Sequence, residues 1–163
     1  MVMKSVQDDA ALSGHTLHDG AAQESAQLAE WIIAQTTDAL IYADRAGDIR
    51  RWNPAATALF GFSLNEALGR NLNLVIPEHL REAHWAGFNA AMERGRLKLG
   101  GRPTLTRGLR KDGRRLYVEM TFALVKDPLG QAVGAVAMAR DVTERTEKER
   151  AARKAAQLAA GEG

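Results

Sequence analysis

The sequence predicts an α+β fold: a five-stranded antiparallel sheet with helices over one face, flanked by N- and C-terminal helices. Two observations predict it. Five short apolar or alternating runs sit between turn residues, and the helical stretches inside the domain gather between the second and third of those runs.

Residues 1–20 mix Gly, Ser, Asp and His without periodicity and are expected to form a flexible leader. From Ala21 to Thr36, Ala22, Ala26, Ala29 and Ile33 recur at helical spacing, and Leu28 and Ile32 widen the apolar face. This helix is expected to precede the domain and pack on it or on a second copy. Ala39 to Asp44 reads as a strand, residues 45–48 as a turn and Ile49 to Trp52 as the returning strand. Asn53 then suits an N-cap and Pro54 a first helical position, so a short helix follows through Phe60, ended by Gly61. Ser63 and Glu66 form a capping box for a second short helix to Leu68.

After residues 71–76 a longer helix runs from Pro77 to near Gly95. Leu80, His84, Gly87, Phe88 and Ala91 make one stripe along it, opposite Glu78, Arg81, Glu82, Asn89 and Glu93. The stripe places the His84 imidazole among apolar neighbours, where it either satisfies itself with a hydrogen bond or binds something. Trp85 falls beside the polar face. Three strands complete the sheet, at 104–111, 116–125 and 133–141. The first two are joined by Asp112-Gly113, a pair that favours the positive φ of a tight hairpin. In the fourth strand Leu116, Val118, Met120, Phe122 and Leu124 alternate with Tyr117, Glu119 and Thr121, which gives it one buried face. Residues 142–160, charged and alanine-rich, read as a helix leaving the domain.

Composition narrows the chemistry. With 163 residues, 45% hydrophobic and 26% charged, the chain has the makings of one globular domain plus accessory segments. No apolar run approaches the ~18 residues of a membrane-spanning helix, and acidic residues stand where an export signal would be apolar, so a cytoplasmic protein is expected. The absence of cysteine excludes disulfides, thiolate metal sites, cysteine nucleophiles and cysteinyl photoadducts. A net charge of +2 does not suggest a nucleic-acid partner, although nine basic residues against one acid lie between Arg94 and Arg115. That run reads as a solvated hairpin face or as a surface for an anion. His15 and His18 lack a nearby third ligand for a metal site. No nucleophile–base pair, paired-carboxylate spacing or phosphate loop stands out, so no enzyme is expected.

From about Trp31 to Arg150 the chain resembles the PAS sensory domains. The segments that carry the resemblance are ALIYADRAGDIRRWNPAATALFGFS, EALGRNLNLVIPEHL, LRKDGRRLYVEM and ARDVTERTEKER, in that order. It implies a leader at 1–20, a flanking helix at 21–36, a PAS domain at 37–142, and a signalling helix and tail at 143–163. It also implies a ligand pocket between sheet and helices, dimerisation through the flanking helices, and a downstream kinase or regulator in cis or in trans. The chain would be either a trans-acting protein or a fragment of a longer one. Asp141-Val142-Thr143 is similar to the family's Asp-x-Thr junction, which passes the pocket's state to the last helix; an N-cap by Thr143 is compatible with that role.

Two cofactor branches are represented. GRNLNLVI, residues 69–76, is similar to the segment of blue-light flavin domains in which a cysteine follows Gly-Arg-Asn. Leu72 occupies that position here, leaving only noncovalent flavin. PEHLREAH, residues 77–84, is similar to the segment of haem-binding PAS oxygen sensors whose histidine ligates iron, and His84 falls on that histidine. Thr104 stands where those sensors place a distal arginine, with Arg102 two residues earlier, and Ala90 and Lys98 stand at positions that hold propionate partners in one branch. A neutral hydroxyl at 104 removes a charge-assisted hydrogen bond to oxygen and predicts a preference for carbon monoxide or nitric oxide unless Arg102 reaches in. Met120, Phe122 and Met138 are the candidate pocket-lining residues. Two readings stand side by side: a haem b sensor ligated by His84, and a cofactor-free dimerisation and docking module in which His84 is structural or gates the pocket.

Overall fold

The computed structural model describes residues 9–98 and 101–161, with side chains from residue 20 to residue 160 outside positions 99 and 100. It forms two compact units, one ending at Gln35 and one beginning at Thr36.

The first unit is a single helix, α1, Asp9–Gln35. It begins twelve residues before the expected position, so residues 9–20 are helical rather than a flexible leader; residues 1–8 lie outside the described residues. Ala10, Ala11, Leu12, Ala21 and Ala22 favour helix, and Gly14 and Gly20 weaken it by about 1 kcal/mol each without ending it. Leu28, Trp31 and Ile32 share one face of α1 and are exposed.

The second unit carries the sheet. Its elements are β1 (Ala39–Asp44), β2 (Ile49–Trp52), α2 (Pro54–Phe60), α3 (Leu64–Ala67), a 3-10 turn (Leu72–Leu74), α4 (Glu78–Arg94), β3 (Thr104–Leu109), β4 (Arg115–Lys126), β5 (Ala132–Asp141) and α5 (Thr143–Gly161). The strands lie in the order β2-β1-β5-β4-β3, all antiparallel, so the first and last strands meet at the centre. This is the expected α+β sandwich.

Residues paired across antiparallel strands share a face. The register Ile41↔Ala137↔Phe122 and Ala39↔Ala139↔Met120↔Thr104 therefore defines the helix-covered face, and Leu40↔Met138↔Thr121 defines the outer one. Under α2 the covered face is closed. Ile49, Phe60 and Val118 are almost fully buried there, and Gly108 leaves room for the Phe60 ring, which a Cβ at 108 would meet at 2.9 Å. Trp52 packs against Phe60 with tilted rings, 5.7 Å between centroids, and donates its indole N–H to Thr57 Oγ1.

Local caps hold this arrangement. Asn53 Oδ1 accepts from Ala56 N at 2.9 Å, which caps α2, and from Leu40 N; Asn53 Nδ2 donates to the Asp38 carbonyl. One buried amide thus ties the start of β1 to the start of α2. The Ser63–Glu66 capping box forms as expected. Glu66 also pairs with Lys111; these partners and Ser63 hold its carboxyl down at a pKa of about 2.

Candidate functional site

The second half of the covered face lies beyond Val118, where Met120, Phe122 and Leu124 of β4 meet Ala135, Ala137 and Ala139 of β5. All but Ala139 are only half-buried, although they share the helix side of the sheet with a closed core. Alanines at alternate positions of β5 keep this part shallow. α4 crosses here and contacts β5, with Ala91 and Met92 buried near its end.

α4 is anchored from its other side. Arg81 donates to the carbonyls of Ile76 and Asn73, each at 3.2 Å, and Trp85 Nε1 donates to Asn73 Oδ1 at 2.9 Å. The Trp85 ring lies against Gly47, where φ is +82° and an added Cβ would come within 2.2 Å of the ring. These contacts rotate the buried stripe toward Arg81, His84, Trp85 and Phe88. Arg81 is half-buried rather than on an outward polar face, and Gly87 is exposed rather than on the buried stripe. A large indole with a waiting acceptor outweighs a glycine in choosing which face turns inward.

His84 stands in this cluster. Its ring meets Trp85 edge-on at 5.0 Å and lies nearly parallel to Phe88 at 6.0 Å. Its Nε2 is buried without a hydrogen-bond partner among the described residues. Burial pushes the imidazole pKa below its ordinary 6.5, so the ring is neutral at pH 7. With the ring proton on Nδ1, a neutral, buried, partnerless Nε2 would offer its lone pair to a metal. No cluster of three His, Asp or Glu able to hold a metal ion exists among the described residues. A lone imidazole therefore suits a metal that brings its own chelate, as iron does in a porphyrin.

The other candidates divide. Thr104 is the direct cross-strand partner of Met120 on the covered face, and Phe122 lies two residues along. Arg102 is exposed and precedes β3; its carbonyl accepts from the Thr104 hydroxyl at 3.4 Å. Met138 was expected in the pocket lining, but its register with Leu40 and Thr121 puts it on the outer face. β5 is apolar on both faces, so its alternation carries no phase. Asp141 and Thr143 do meet: Asp141 Oδ1 accepts from Thr143 N, and Thr143 Oγ1 accepts from Tyr117 N, both at 2.9 Å. The threonine hydroxyl is thus committed to β4 rather than to capping α5. The side chains of His15 and His18 lie outside the described ones.

Sequence reasoning also missed a groove of about 320 Å³ lined by Gly87, Ala90, Ala91, Arg94, Arg96, Leu97 and Lys98. In the basic run, Arg110 and Arg114 pair with Asp112, and Lys111 pairs with Glu66. Arg94, Arg96 and Lys98 have no carboxylate partner among the described residues. The excess of base in the run was legible in sequence; the division between spent and free cations was not.

Residues 29–142 match the family model described as the PAS fold. The chain is similar to the oxygen sensor protein DosP of Escherichia coli, 31% identical over 103 residues, which are 63% of this chain and 13% of that protein. It is also similar to the sensor protein FixL of Bradyrhizobium diazoefficiens, 28% identical over 113 residues, which are 69% of this chain and 22% of that protein. The chain thus spans less than a quarter of the length of these relatives. The crystal structure of the PAS domain of a protein from Colwellia psychrerythraea matches with a TM-score of 0.64 and 25% identity, covering 73% of this chain and 98% of that one. No described helix is long and apolar enough to cross a membrane.

Proposed function

The chain belongs to the PAS family, and on that premise we propose that it is a sensory module binding haem b through His84 and relaying the state of that site through α5. The buried, partnerless Nε2 of His84 carries this reading. An unsatisfied buried polar atom costs about 1–3 kcal/mol, and coordination would remove that cost. The similarity to an oxygen sensor protein supports the same reading. Haem would supply an iron centre able to bind a diatomic gas.

The chain's own residues would do the rest. Burial keeps His84 neutral and so able to donate its lone pair. Trp85 and Phe88 fix the ring's orientation, and Met120 and Phe122 offer apolar surface on the sheet side. Arg94, Arg96 and Lys98 begin about three turns along α4 from His84 and supply positive charge suited to a ligand's carboxylates. Thr104 offers a neutral hydroxyl on the covered face, which lowers the preference for oxygen relative to carbon monoxide. No catalytic step is assigned to the chain. Dimerisation through the exposed Leu28–Trp31–Ile32 face of α1 and through α5, and coupling to a kinase or regulator, complete the reading.

The test is an absorption spectrum of protein produced with haem and flavin both available, for the wild type, His84→Ala and His79→Ala. A Soret band in the wild type and His79→Ala that is lost or shifted in His84→Ala is the expected result. A Soret band unchanged in His84→Ala removes His84 as the ligand, a flavin spectrum replaces haem, and a colourless wild type leaves a cofactor-free dimerisation and docking module.

A further inference from the structure

We infer that Tyr117 is a positioning residue that sets the direction in which α5 leaves the sheet, by holding that helix at two points two turns apart. Tyr117 is on the outer face of β4, where alternation alone would leave it to solvent, yet it is half-buried. The first point is its backbone. Tyr117 N donates to Thr143 Oγ1 at 2.9 Å, and its carbonyl accepts from Val142 N at 2.9 Å and from the Thr143 hydroxyl at 3.4 Å. The second point is its side chain. The Arg150 guanidinium lies over the ring at 5.2 Å from the centroid, and Arg150 Nη1 donates to the phenol oxygen.

Thr143 and Arg150 are seven residues apart, which on an α-helix is close to two full turns and one shared face. A helix held at its first residue alone can swing about that point; a second attachment on the same face fixes its axis. Arg107, the cross-strand partner of Tyr117 on β3, also lies over this ring, 5.8 Å from its centroid, and adds a contact from the neighbouring strand. Neither Arg107 nor Arg150 pairs with a carboxylate among the described residues, so the ring is the partner both have. Arg145 adds a lateral tie to Glu119 at 3.3 Å. The inference rests on the relay reading only for its consequence, that a change in the sheet at Tyr117 becomes a change in the angle of α5.

The absence of cysteine allows a clean measurement. Spin labels at Leu129→Cys, in the turn between β4 and β5, and at Ala156→Cys, on the exposed side of α5, report the helix direction as a distance distribution. A narrow distribution is expected in the otherwise unaltered ligand-free chain. About a twofold broadening is expected in Arg150→Ala and Tyr117→Leu, and an intermediate width in Tyr117→Phe, which keeps the ring and loses the hydroxyl. Lys148→Ala, which removes only a pair within α5, should leave the width unchanged, and the melting temperature should hardly move across the Arg150 and Lys148 variants. A broad distribution before any Tyr117 or Arg150 substitution, or equal widths with and without the Arg150 side chain, overturns the inference. Adding haem then tests the relay reading separately: a narrow distribution that does not shift leaves the latch standing and removes the relay.

Discussion

The two halves of the covered face are built from one sheet and differ in how they are finished. Under α2, Phe60, Ile49 and Val118 are sealed, and Asn53 has its amide groups used at the start of β1 and at the start of α2. Under α4 the strands present half-buried Met120, Phe122 and Ala137, and an imidazole nitrogen is buried without a partner. A closed half supplies stability, and an open half keeps unsatisfied chemistry that a ligand can complete. Binding energy is available in the region that folding left incomplete.

The contrast can be broken first by cavity formation. Phe60→Ala should destabilise the domain by about 3–5 kcal/mol, whereas Phe88→Ala beside His84 should cost about 1–2 kcal/mol, read as midpoint shifts in urea unfolding. Equal losses would mean that the two halves are packed alike. Asn53→Ala removes a cap and strands two backbone groups, so a loss of about 2 kcal/mol is expected without change in haem affinity.

The open half should also respond to pH. His84 has a folded pKa below 6.5, so between that value and 6.5 the unfolded chain binds more protons than the folded one. Stability from this group is complete above 6.5 and declines as pH falls toward the folded value. His84→Phe should flatten the unfolding free energy between pH 7 and 5 relative to wild type; a parallel slope in both proteins would assign the dependence elsewhere. The smallest effect belongs to the junction. Asp141→Ala should cost about 1 kcal/mol and speed hydrogen exchange after Thr143 while leaving residues 116–125 unchanged. Uniform acceleration would show that Asp141 supports the whole fold.

Much of the fold was legible because its signals are local. Asn53-Pro54, the Ser63–Glu66 box and the Asp112-Gly113 turn each specify backbone geometry within four residues, and the alternation of β4 specifies a face. Met138 was misplaced because β5 is apolar on both faces and its phase comes only from pairing with β1 and β4. The stripe of α4 was rotated because Asn73 and Gly47, distant in sequence, offer Trp85 an acceptor and a surface. His84 was legible from helical spacing and resemblance, but the missing partner of its Nε2 is a three-dimensional fact.

The most direct test of an open, ligand-ready half is hydrogen exchange with and without haem. Added protection is expected in residues 78–94 and 120–137, with residues 54–60 unchanged and with that difference lost in His84→Ala. Protection spread evenly over both halves, or confined to the α2 side, would contradict it.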